Sequence, residues 1–243
     1  MNTAAFFDID GTLHRNSLLI EHFKKLVKYE VIDPGHWYSK IQHTYNEWRK
    51  RQGDYEDYLL QLVDIYRNEL KGKSKRDMEF VYNQVITLNG DVVYRYTRGR
   101  ILHHKAEGHK VFFISGSPSF LVEKMAEKYD ADDFRGAVYL TDDRDVFTGE
   151  VIPMWNTESK NRAISDFVNA YDIDLSASYA YGDTNGDLSM LKSVGFPVAI
   201  NPTREMIENI RADRSLADRA RIVVERKDVI YEFTPDTVSI REE

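Results

Sequence analysis

The stretch AAFFDIDGT, residues 4–12, decides both the fold and the chemistry predicted for this chain. The mostly apolar segment from Ala4 to Ile9 is typical of a strand in a parallel sheet that is covered on both faces. Asp8 and Asp10 fall at its C-terminal end, and residues two apart on a strand point to the same side. Two carboxylates aimed at one place repel each other unless a cation lies beside them. The stretch therefore predicts a strand that ends in a cation-dependent site, unless the two aspartates are ordinary loop or cap residues, which are also common after strands.

Further apolar runs alternate with helical patterns along the rest of the chain. The strand-like runs are KVFFIS at 110–115, SYAYGD at 178–183 and FPVAIN at 196–201. The helical patterns cover 120–129, 161–170 and 203–211. This alternation predicts an α/β fold with a doubly wound, Rossmann-like parallel sheet. Residues 222–233 are interpreted as one more strand.

About a hundred residues separate the first strand from the second, far more than one crossover helix requires. Their apolar residues recur at helical spacing. We therefore expect a helical cap domain at 14–90, inserted into a Rossmann-like core domain formed by 1–13 and 91–243. The runs AVYL at 137–140 and VFTGEV at 146–151 flank a polar TDDRD and predict a hairpin.

Composition excludes several classes of protein and site. A net charge of -7 argues against a surface built for nucleic acid or an anionic membrane. The 243 residues include no cysteine, which excludes disulfides, thiolate metal sites and cysteine nucleophiles. No apolar stretch is long enough to cross a bilayer, and the N-terminus lacks the pattern of a signal peptide. The sequence therefore predicts a cytoplasmic protein.

Polar groups suited to an oxyanion follow the strand-like run at 110–115. Ser115 precedes Gly116, Ser117 and Pro118, a sequence that predicts the start of a helix. The Ser115 hydroxyl and the backbone amides beginning at Gly116 would together hold a phosphate group. A plain turn with an N-capping serine explains the same residues.

Charged residues follow two later junctions. Lys160 lies at the start of a helical pattern, where a cation interacts unfavourably with the helix dipole. We therefore expect Lys160 to bind an anion, although an ordinary surface lysine would explain the same position. Asp183 ends a strand-like run, and Asp187 lies four residues further on. Such carboxylates suit Mg²⁺, which prefers oxygen ligands, but they would also suit the N-terminus of a helix.

Four segments, taken in order, resemble the haloacid dehalogenase superfamily of phosphatases, and in particular its phosphoserine-phosphatase-like branch (subfamily IB) with a helical cap. They are DIDGT at 8–12, ISGSP at 114–118, Lys160 within TESKNRAI, and GDTNGDLSML at 182–191. The resemblance extends from about residue 4 to residue 202. It implies a phosphatase whose substrate is a small phosphomonoester, with no nucleic acid or membrane partner; it implies no particular oligomeric state.

The resemblance assigns a role to each strand end. Asp8 corresponds to the nucleophile that carries the phosphoryl group as an aspartyl phosphate, and Asp10 to the general acid and base. Mg²⁺ would be held by Asp8, the backbone carbonyl of Asp10, and Asp183. Asp187 would either bind the ion directly or hold its ligands in place.

Ser115, Gly116 and Lys160 would bind the phosphoryl oxygens, whose charge must be stabilised in the transition state. The activity that these roles imply is Mg²⁺-dependent hydrolysis of a small phosphorylated metabolite.

The chain departs from this branch at two positions. The branch carries a glutamate nine residues after the nucleophile, thought to meet the amino group of phosphoserine, and Ser17 stands there in this chain. A serine cannot make that ionic contact, which argues against phosphoserine as the substrate. The branch also has an asparagine just before its last aspartate, where this chain has Gly186, with Asn185 one place earlier.

Substrate choice is expected to depend on the predicted cap. Its aromatic residues could enclose a ring or a cation, although forming the cap's own core is the more common use. They are Trp37, Tyr38, Tyr45, Trp48, Tyr55 and Tyr58. Arg49 and Arg51 could meet a second anionic group or belong to a solvated turn.

Three alternatives remain open at this level. A phosphotransferase would use the same aspartyl phosphate but hand the group to an alcohol instead of water. A non-catalytic signalling module, such as a receiver domain, also combines acidic residues, a hydroxyl, a lysine and Mg²⁺, but is about half this length and has no such insertion. A silent binding protein on the phosphatase fold would not need the complete set of catalytic residues.

Overall fold

A computed structural model describes residues 1–36, 41–50, 52 and 55–240 of the protein. The chain forms two compact units. The first contains Met1–Ser17, Gly90–Ala137 and Pro153–Glu243, and the second contains Leu18–Asn89 and Val138–Ile152.

The elements are numbered in chain order. The strands are β1 (Ala4–Phe7), β2 (Lys110–Pro118), β3 (Asp133–Thr141), β4 (Phe147–Ile152), β5 (Tyr179–Gly182), β6 (Phe196–Ile200), β7 (Arg221–Arg226) and β8 (Val229–Phe233). The helices of the second unit are α1 (Leu18–Lys28), α2 (Pro34–His36), α3 (Gln42–Arg49), α4 (Tyr55–Leu70) and α5 (Lys75–Asn89). Those of the first are α6 (Arg95–Ala106), α7 (Ser119–Tyr129), α8 (Thr157–Tyr171), α9 (Leu188–Ser193), α10 (Arg204–Ala212) and α11 (Arg214–Ala217).

The sheet of the first unit has β1 between β2 and β5. Its strand order is β3-β2-β1-β5-β6-β7-β8. Every neighbouring pair from β3 to β7 is parallel, and β8 runs antiparallel to β7. Phe7 at the end of β1 is in register with Phe113 on β2 and Tyr181 on β5. The carboxyl ends of the three central strands therefore meet at one edge, which is where ligands bind in such sheets.

Helices cover both faces of this sheet, so the predicted doubly wound α/β fold is confirmed. On one face Phe6 and Phe112 pack against Phe167 of α8 within an extended cluster of buried apolar residues. On the other face the Phe7 ring lies against His104 of α6. Burial on both faces explains why β1 reads as a continuous apolar run.

Two sequence interpretations need correction. Residues 222–233 form not one strand but most of the antiparallel pair β7 and β8, which is joined by a tight turn with Lys227 at φ +54°. The charged run Arg-Lys-Asp at 226–228 was the signal for that turn. Strand β2 continues to Pro118, so the next helix begins at Ser119 and not at the Gly-Ser-Pro sequence itself.

The second unit consists of helices α1 to α5 and the predicted hairpin, in which β4 pairs antiparallel with the end of β3. The predicted core range 91–243 includes this hairpin, whereas the structure groups Val138–Ile152 with Leu18–Asn89. Backbone hydrogen bonds explain the grouping, because Gly72 N donates to Phe147 O (2.8 Å) and Phe147 N donates to Lys73 O (3.0 Å). The division into a cap at 14–90 and a core stays a prediction.

Part of the predicted aromatic set packs inside the second unit. Tyr58 is fully buried, and its ring centroid lies 5.4 Å from that of Tyr45. Trp37, Tyr38 and Arg51, and the side chains of Trp48, Arg49 and Tyr55, lie outside the described residues. Among the helices that the structure describes, none combines the length and apolar character needed to span a bilayer.

Candidate active site

A tight turn directly after β1 presents Asp8 and Asp10. The backbone N–H groups of Leu13 and His14 both donate to Ile9 O, at 2.9 and 2.7 Å. Gly11 within this turn has φ +84°, and a Cβ atom built on it would overlap the carboxylate of Asp183. The turn therefore needs glycine for its backbone conformation and for the close approach of Asp183.

Three carboxylates converge beside this turn. One oxygen each from Asp8, Asp183 and Asp187 lie within 4.8 Å of one another. Asp183 Oδ1 accepts a hydrogen bond from Thr12 Oγ1 at 3.2 Å. Asp187 Oδ2 accepts from the backbone N–H groups of Asp183 (3.1 Å) and Thr184 (3.3 Å). Asp187 thus holds the loop that carries Asp183. These hydrogen bonds are typical of an aspartate at the start of a helix, so the helix-start interpretation of Asp187 is also correct.

Lys160 lies among these carboxylates and is only 3% exposed. Its Nζ donates to Asp8 Oδ1 at 3.1 Å and to Asp187 Oδ1. Helix α8 places it there, and the Asn156 side chain caps that helix by accepting from Ser159 N at 2.8 Å. The alternative of a solvated surface lysine is therefore wrong.

The electrostatics of the cluster favour an additional cation. Burial, and then the charge of Asp187, raise the pKa of Asp8 well above its usual range, although Lys160 opposes the shift. Burial and the charges of Asp187 and Asp8 likewise raise the pKa of Asp183. Burial alone would lower the pKa of Lys160, but the two neighbouring carboxylates outweigh it and raise that pKa.

Three carboxylates, of which Asp8 and Asp187 are buried and Asp183 is partly buried, thus lie in one cluster with a single ammonium group, which bonds only Asp8 and Asp187 of the three. Their oxygen donors and excess negative charge fit Mg²⁺, which binds through oxygen and would relieve the repulsion.

The end of β2 forms the neighbouring loop. The β2–β3 register shifts between Ile114 and Pro118, so the strand is irregular where Ser115 lies. Ser115 is buried, and its Oγ accepts from Ser117 N at 3.1 Å. It does not cap α7, whose N-cap position is Pro118. Accepting that bond leaves the hydroxyl hydrogen of Ser115 as the group's donor, which is the role that oxyanion binding requires.

Trp155 lies against two of the site loops and was missed by the sequence analysis. A Cβ atom built on Gly116 would lie 3.1 Å from Trp155 Cβ, and one built on Gly186 would lie 3.3 Å from Trp155 O. The neighbouring Asn185 does not turn toward the carboxylates, since its Oδ1 accepts from Asn209 Nδ2 on α10 at 3.0 Å. A side chain at position 186 would thus crowd the Trp155 backbone.

The C-terminal segment supports the stretch that follows β1. Arg15 Nη2 pairs with Glu225 Oε1 on β7 at 2.5 Å, and the Glu225 side chain is fully buried. Glu225 Oε2 also accepts from Tyr96 N at 2.9 Å. Glu225 therefore helps to hold the stretch of chain that follows the strand-end turn.

Two serine residues contact Asp10, a partner that the sequence did not predict for either of them. Ser117 Oγ donates to Asp10 Oδ2 at 2.5 Å, and Ser17 Oγ donates to the same oxygen at 3.4 Å. Ser117 stood within the ISGSP motif, so its place was visible in the sequence but its partner was not. The contact of Ser17 follows only from the path of the chain after β1.

Comparisons with known proteins found a family match and several relatives. A family model described as haloacid dehalogenase-like hydrolase matches residues 5–192. A curated protein of Streptomyces azureus, named inhibition of morphological differentiation protein, is 28% identical over 206 residues, covering 84% of this chain and 73% of the relative. Phosphoserine phosphatase SerB1 of Mycobacterium tuberculosis is 25% identical over 242 residues, and the match covers 92% of this chain and 75% of that relative.

One solved structure extends the comparison to the fold. It is described as a phospho-aspartyl intermediate analogue of phosphoserine phosphatase. It superposes with a TM-score of 0.59 at 21% identity, covering 93% of this chain and 95% of the other. At this identity the likeness concerns the fold alone.

Proposed function

The chain belongs to the haloacid dehalogenase-like hydrolase family as a phosphatase-like hydrolase, and we propose that it is a Mg²⁺-dependent phosphomonoesterase that acts through an aspartyl phosphate. Its substrate would be a small phosphorylated metabolite of the cytoplasm. The observation that carries the proposal is the position of Lys160, whose buried amine bonds both Asp8 and Asp187 next to Asp183. A nucleophilic carboxylate can approach an anionic phosphate only where positive charge is supplied in this way.

In the first half-reaction a carboxylate oxygen of Asp8 attacks phosphorus. The new bond joins Asp8 to the phosphoryl group while the P–O bond to the leaving alcohol breaks. Asp10 donates a proton to the departing oxygen, so that an alcohol leaves and not an alkoxide. The surroundings of the two residues suit these separate roles, because Asp8 is buried against Lys160 whereas Asp10 is partly exposed.

In the second half-reaction a water oxygen attacks the phosphorus of the aspartyl phosphate. Asp10 accepts the proton of that water, and the P–O bond to Asp8 breaks. Inorganic phosphate leaves, and the carboxylate of Asp8 is regenerated. The same group thus serves as acid and then as base, and returns to its starting protonation state.

The remaining residues would bind the phosphoryl oxygens. Lys160 already donates to Asp8, and the Ser115 hydroxyl and the backbone at Gly116 would supply further donors to the phosphoryl oxygens. Asp8, the backbone carbonyl of Asp10, and Asp183 would hold Mg²⁺, with Asp187 keeping Asp183 in place through the backbone of its loop. When bound, the ion would neutralise phosphoryl charge that the single ammonium cannot balance.

The natural substrate is proposed only as a class. One relative carries the name phosphoserine phosphatase, but position 17 of this chain is an uncharged serine whose hydroxyl contacts Asp10. We therefore propose a phosphomonoester whose recognition does not depend on an ionic contact at position 17.

The test is release of phosphate from 4-nitrophenyl phosphate, with Mg²⁺ and with a chelator. We expect metal-dependent turnover in the parent and near-complete loss in Asp8→Asn. Asp166→Asn is the matched control, because Asp166 is an exposed carboxylate on α8 outside the site. Acid-quenched parent protein should also carry a phosphoryl group, seen by intact mass, that Asp8→Asn lacks. Turnover that survives both the chelator and Asp8→Asn would rule out the proposed function.

A further inference from the structure

Two serine hydroxyl groups from separate segments of the chain donate hydrogen bonds to the same oxygen of Asp10. Ser117 Oγ donates to Oδ2 at 2.5 Å and Ser17 Oγ donates to it at 3.4 Å. Both serines are buried, at 2% and 5% exposure. A buried hydroxyl is well placed to restrict the carboxylate it contacts, because its own hydrogen bond cannot be exchanged easily for one to water.

The position of each donor is set by its own surroundings. Ser117 lies in the irregular end of β2, where its backbone N–H donates to Ser115 Oγ. Ser17 follows Arg15, which is held by Val93 O at 2.9 Å and by Glu225 at 2.5 Å. The two hydroxyl groups therefore form a fixed frame against which the carboxyl group of Asp10 is oriented.

We propose that Ser117, assisted by Ser17, is a positioning residue that orients Asp10 for proton transfer to the leaving oxygen. This inference rests on the proposed function, in which Asp10 is the general acid. Two donors on Oδ2 favour the transferable proton on Oδ1, because the lone pairs of Oδ2 are engaged. The proton then passes from Oδ1 to the leaving oxygen as the P–O bond breaks, and Asp10 becomes a carboxylate that keeps both serine hydrogen bonds.

A positioning role predicts a particular dependence on the leaving group. A poor leaving group needs the proton during bond breaking, whereas 4-nitrophenolate leaves readily without it. Loss of the frame should therefore affect poor leaving groups most. A defect in folding, substrate binding or phosphate binding would instead lower turnover of all aryl phosphates by a similar factor.

The experiment measures kcat/KM for substituted phenyl phosphates, from 4-nitrophenyl phosphate to unsubstituted phenyl phosphate, whose phenol has a pKa of about 10, as in tyrosine. In Ser117→Ala we expect phenyl phosphate to lose roughly ten-fold more kcat/KM than 4-nitrophenyl phosphate, a fraction of the 10²–10⁴-fold effect typical of general acids. Ser17→Ala should change the ratio in the same direction by a smaller factor, since its contact is longer. Equal losses for both substrates, or no loss, would overturn the proposal.

Two controls separate this idea from neighbouring explanations. Ser189→Ala removes a hydroxyl for which no hydrogen-bond partner is found among the described residues, and should leave the leaving-group dependence unchanged. In an Asp10→Ala background, Ser117→Ala should produce no further change in that dependence, because both changes remove one function. A full additional effect in that background would assign Ser117 a role apart from Asp10.

Failure of the inference is distinguishable from failure of the proposed function. Metal-dependent turnover by the parent that is lost in Asp8→Asn supports the function whatever the leaving-group series shows. The series itself compares ratios within one protein, so a partial loss of folded protein in Ser117→Ala would cancel from it.

Discussion

The side-chain amine of Lys160 lies 3.1 Å from Asp8 Oδ1 and bonds Asp187 as well, with all three side chains buried. One ammonium group thus serves two carboxylates. Removing one partner from a buried ionic group costs about 3–5 kcal/mol, because the remaining charge is left without compensation. Lys160 therefore contributes both to the stability of the folded protein and to the positive charge that the proposed reaction requires.

Lys160→Met should lower both stability and activity. With the ammonium lost, we expect the unfolding temperature in chelator to fall and kcat/KM for 4-nitrophenyl phosphate to drop about 10²–10³-fold, as for other groups that stabilise transition-state charge. Lys160→Arg retains the charge and should recover part of the stability. Parent-like turnover in Lys160→Met would contradict the role given to this residue.

Mg²⁺ should stabilise the protein through Asp183. Because ion binding to the folded state raises its stability, the parent should unfold at increasing temperature as Mg²⁺ is added. Asp183→Asn removes one of three mutually repelling carboxylates. We expect it to unfold no earlier than the parent in chelator, but to gain much less from Mg²⁺. Thermal unfolding followed by circular dichroism provides the measurement, and an equal gain in both proteins would argue against Asp183 as a ligand.

Gly11→Ala should be more damaging than an alanine at another left-handed glycine. The φ of +84° costs about 1–2 kcal/mol for a residue with a side chain, and the overlap with Asp183 adds about 1–3 kcal/mol. Gly72→Ala is the matched control, since Gly72 has φ +81° and nothing within 4 Å of a built Cβ. Urea unfolding should show the larger loss for Gly11→Ala. Equal losses would mean that the contact with Asp183 relaxes freely.

The cap of α8 should influence the site through Lys160. Asn156→Ala removes the hydrogen bond to Ser159 N and should cost about 1 kcal/mol of unfolding free energy. We also expect reduced kcat, because Lys160 lies in the first turn of that helix. Asn156→Asp keeps an acceptor at the cap and should restore both quantities. Unchanged stability in the alanine variant would show that the cap contributes nothing measurable.

Stability should fall as the pH drops below neutrality, in part because of His104. Burial, followed by the charges of Arg100, His109 and His103, lowers the pKa of His104 to about 3. Below the unfolded pKa of about 6.5 the unfolded chain binds a proton that the folded protein does not, so unfolding is favoured.

Between pH 7 and pH 5 this effect is worth on the order of 2 kcal/mol. Urea unfolding at the two pH values should show a smaller difference for His104→Gln than for the parent. Burial also lowers the pKa of His22 to about 3, so some pH dependence should remain in the variant. An identical pH dependence in His104→Gln and the parent would contradict the assignment to His104.

Local patterns in the sequence were sufficient to predict the fold class and the segments that carry the site. The apolar run before Asp8, the alternation of strand and helix patterns, and the motifs around Ser115, Lys160 and Asp183 are features of short stretches. Because parallel strands in a doubly wound sheet bring their carboxyl ends to one edge, these stretches implied convergence before any distance was known.

The tertiary structure alone decided which side chains meet. The sequence could not show that Ser117 contacts Asp10, 107 positions away, or that Glu225 pairs with Arg15, 210 positions away. It also left open whether Lys160 was a surface residue, and it assigned the hairpin at 138–152 to the other part of the chain. Such contacts depend on strand register and helix packing across the whole domain, and a pattern that spans ten residues does not contain that information.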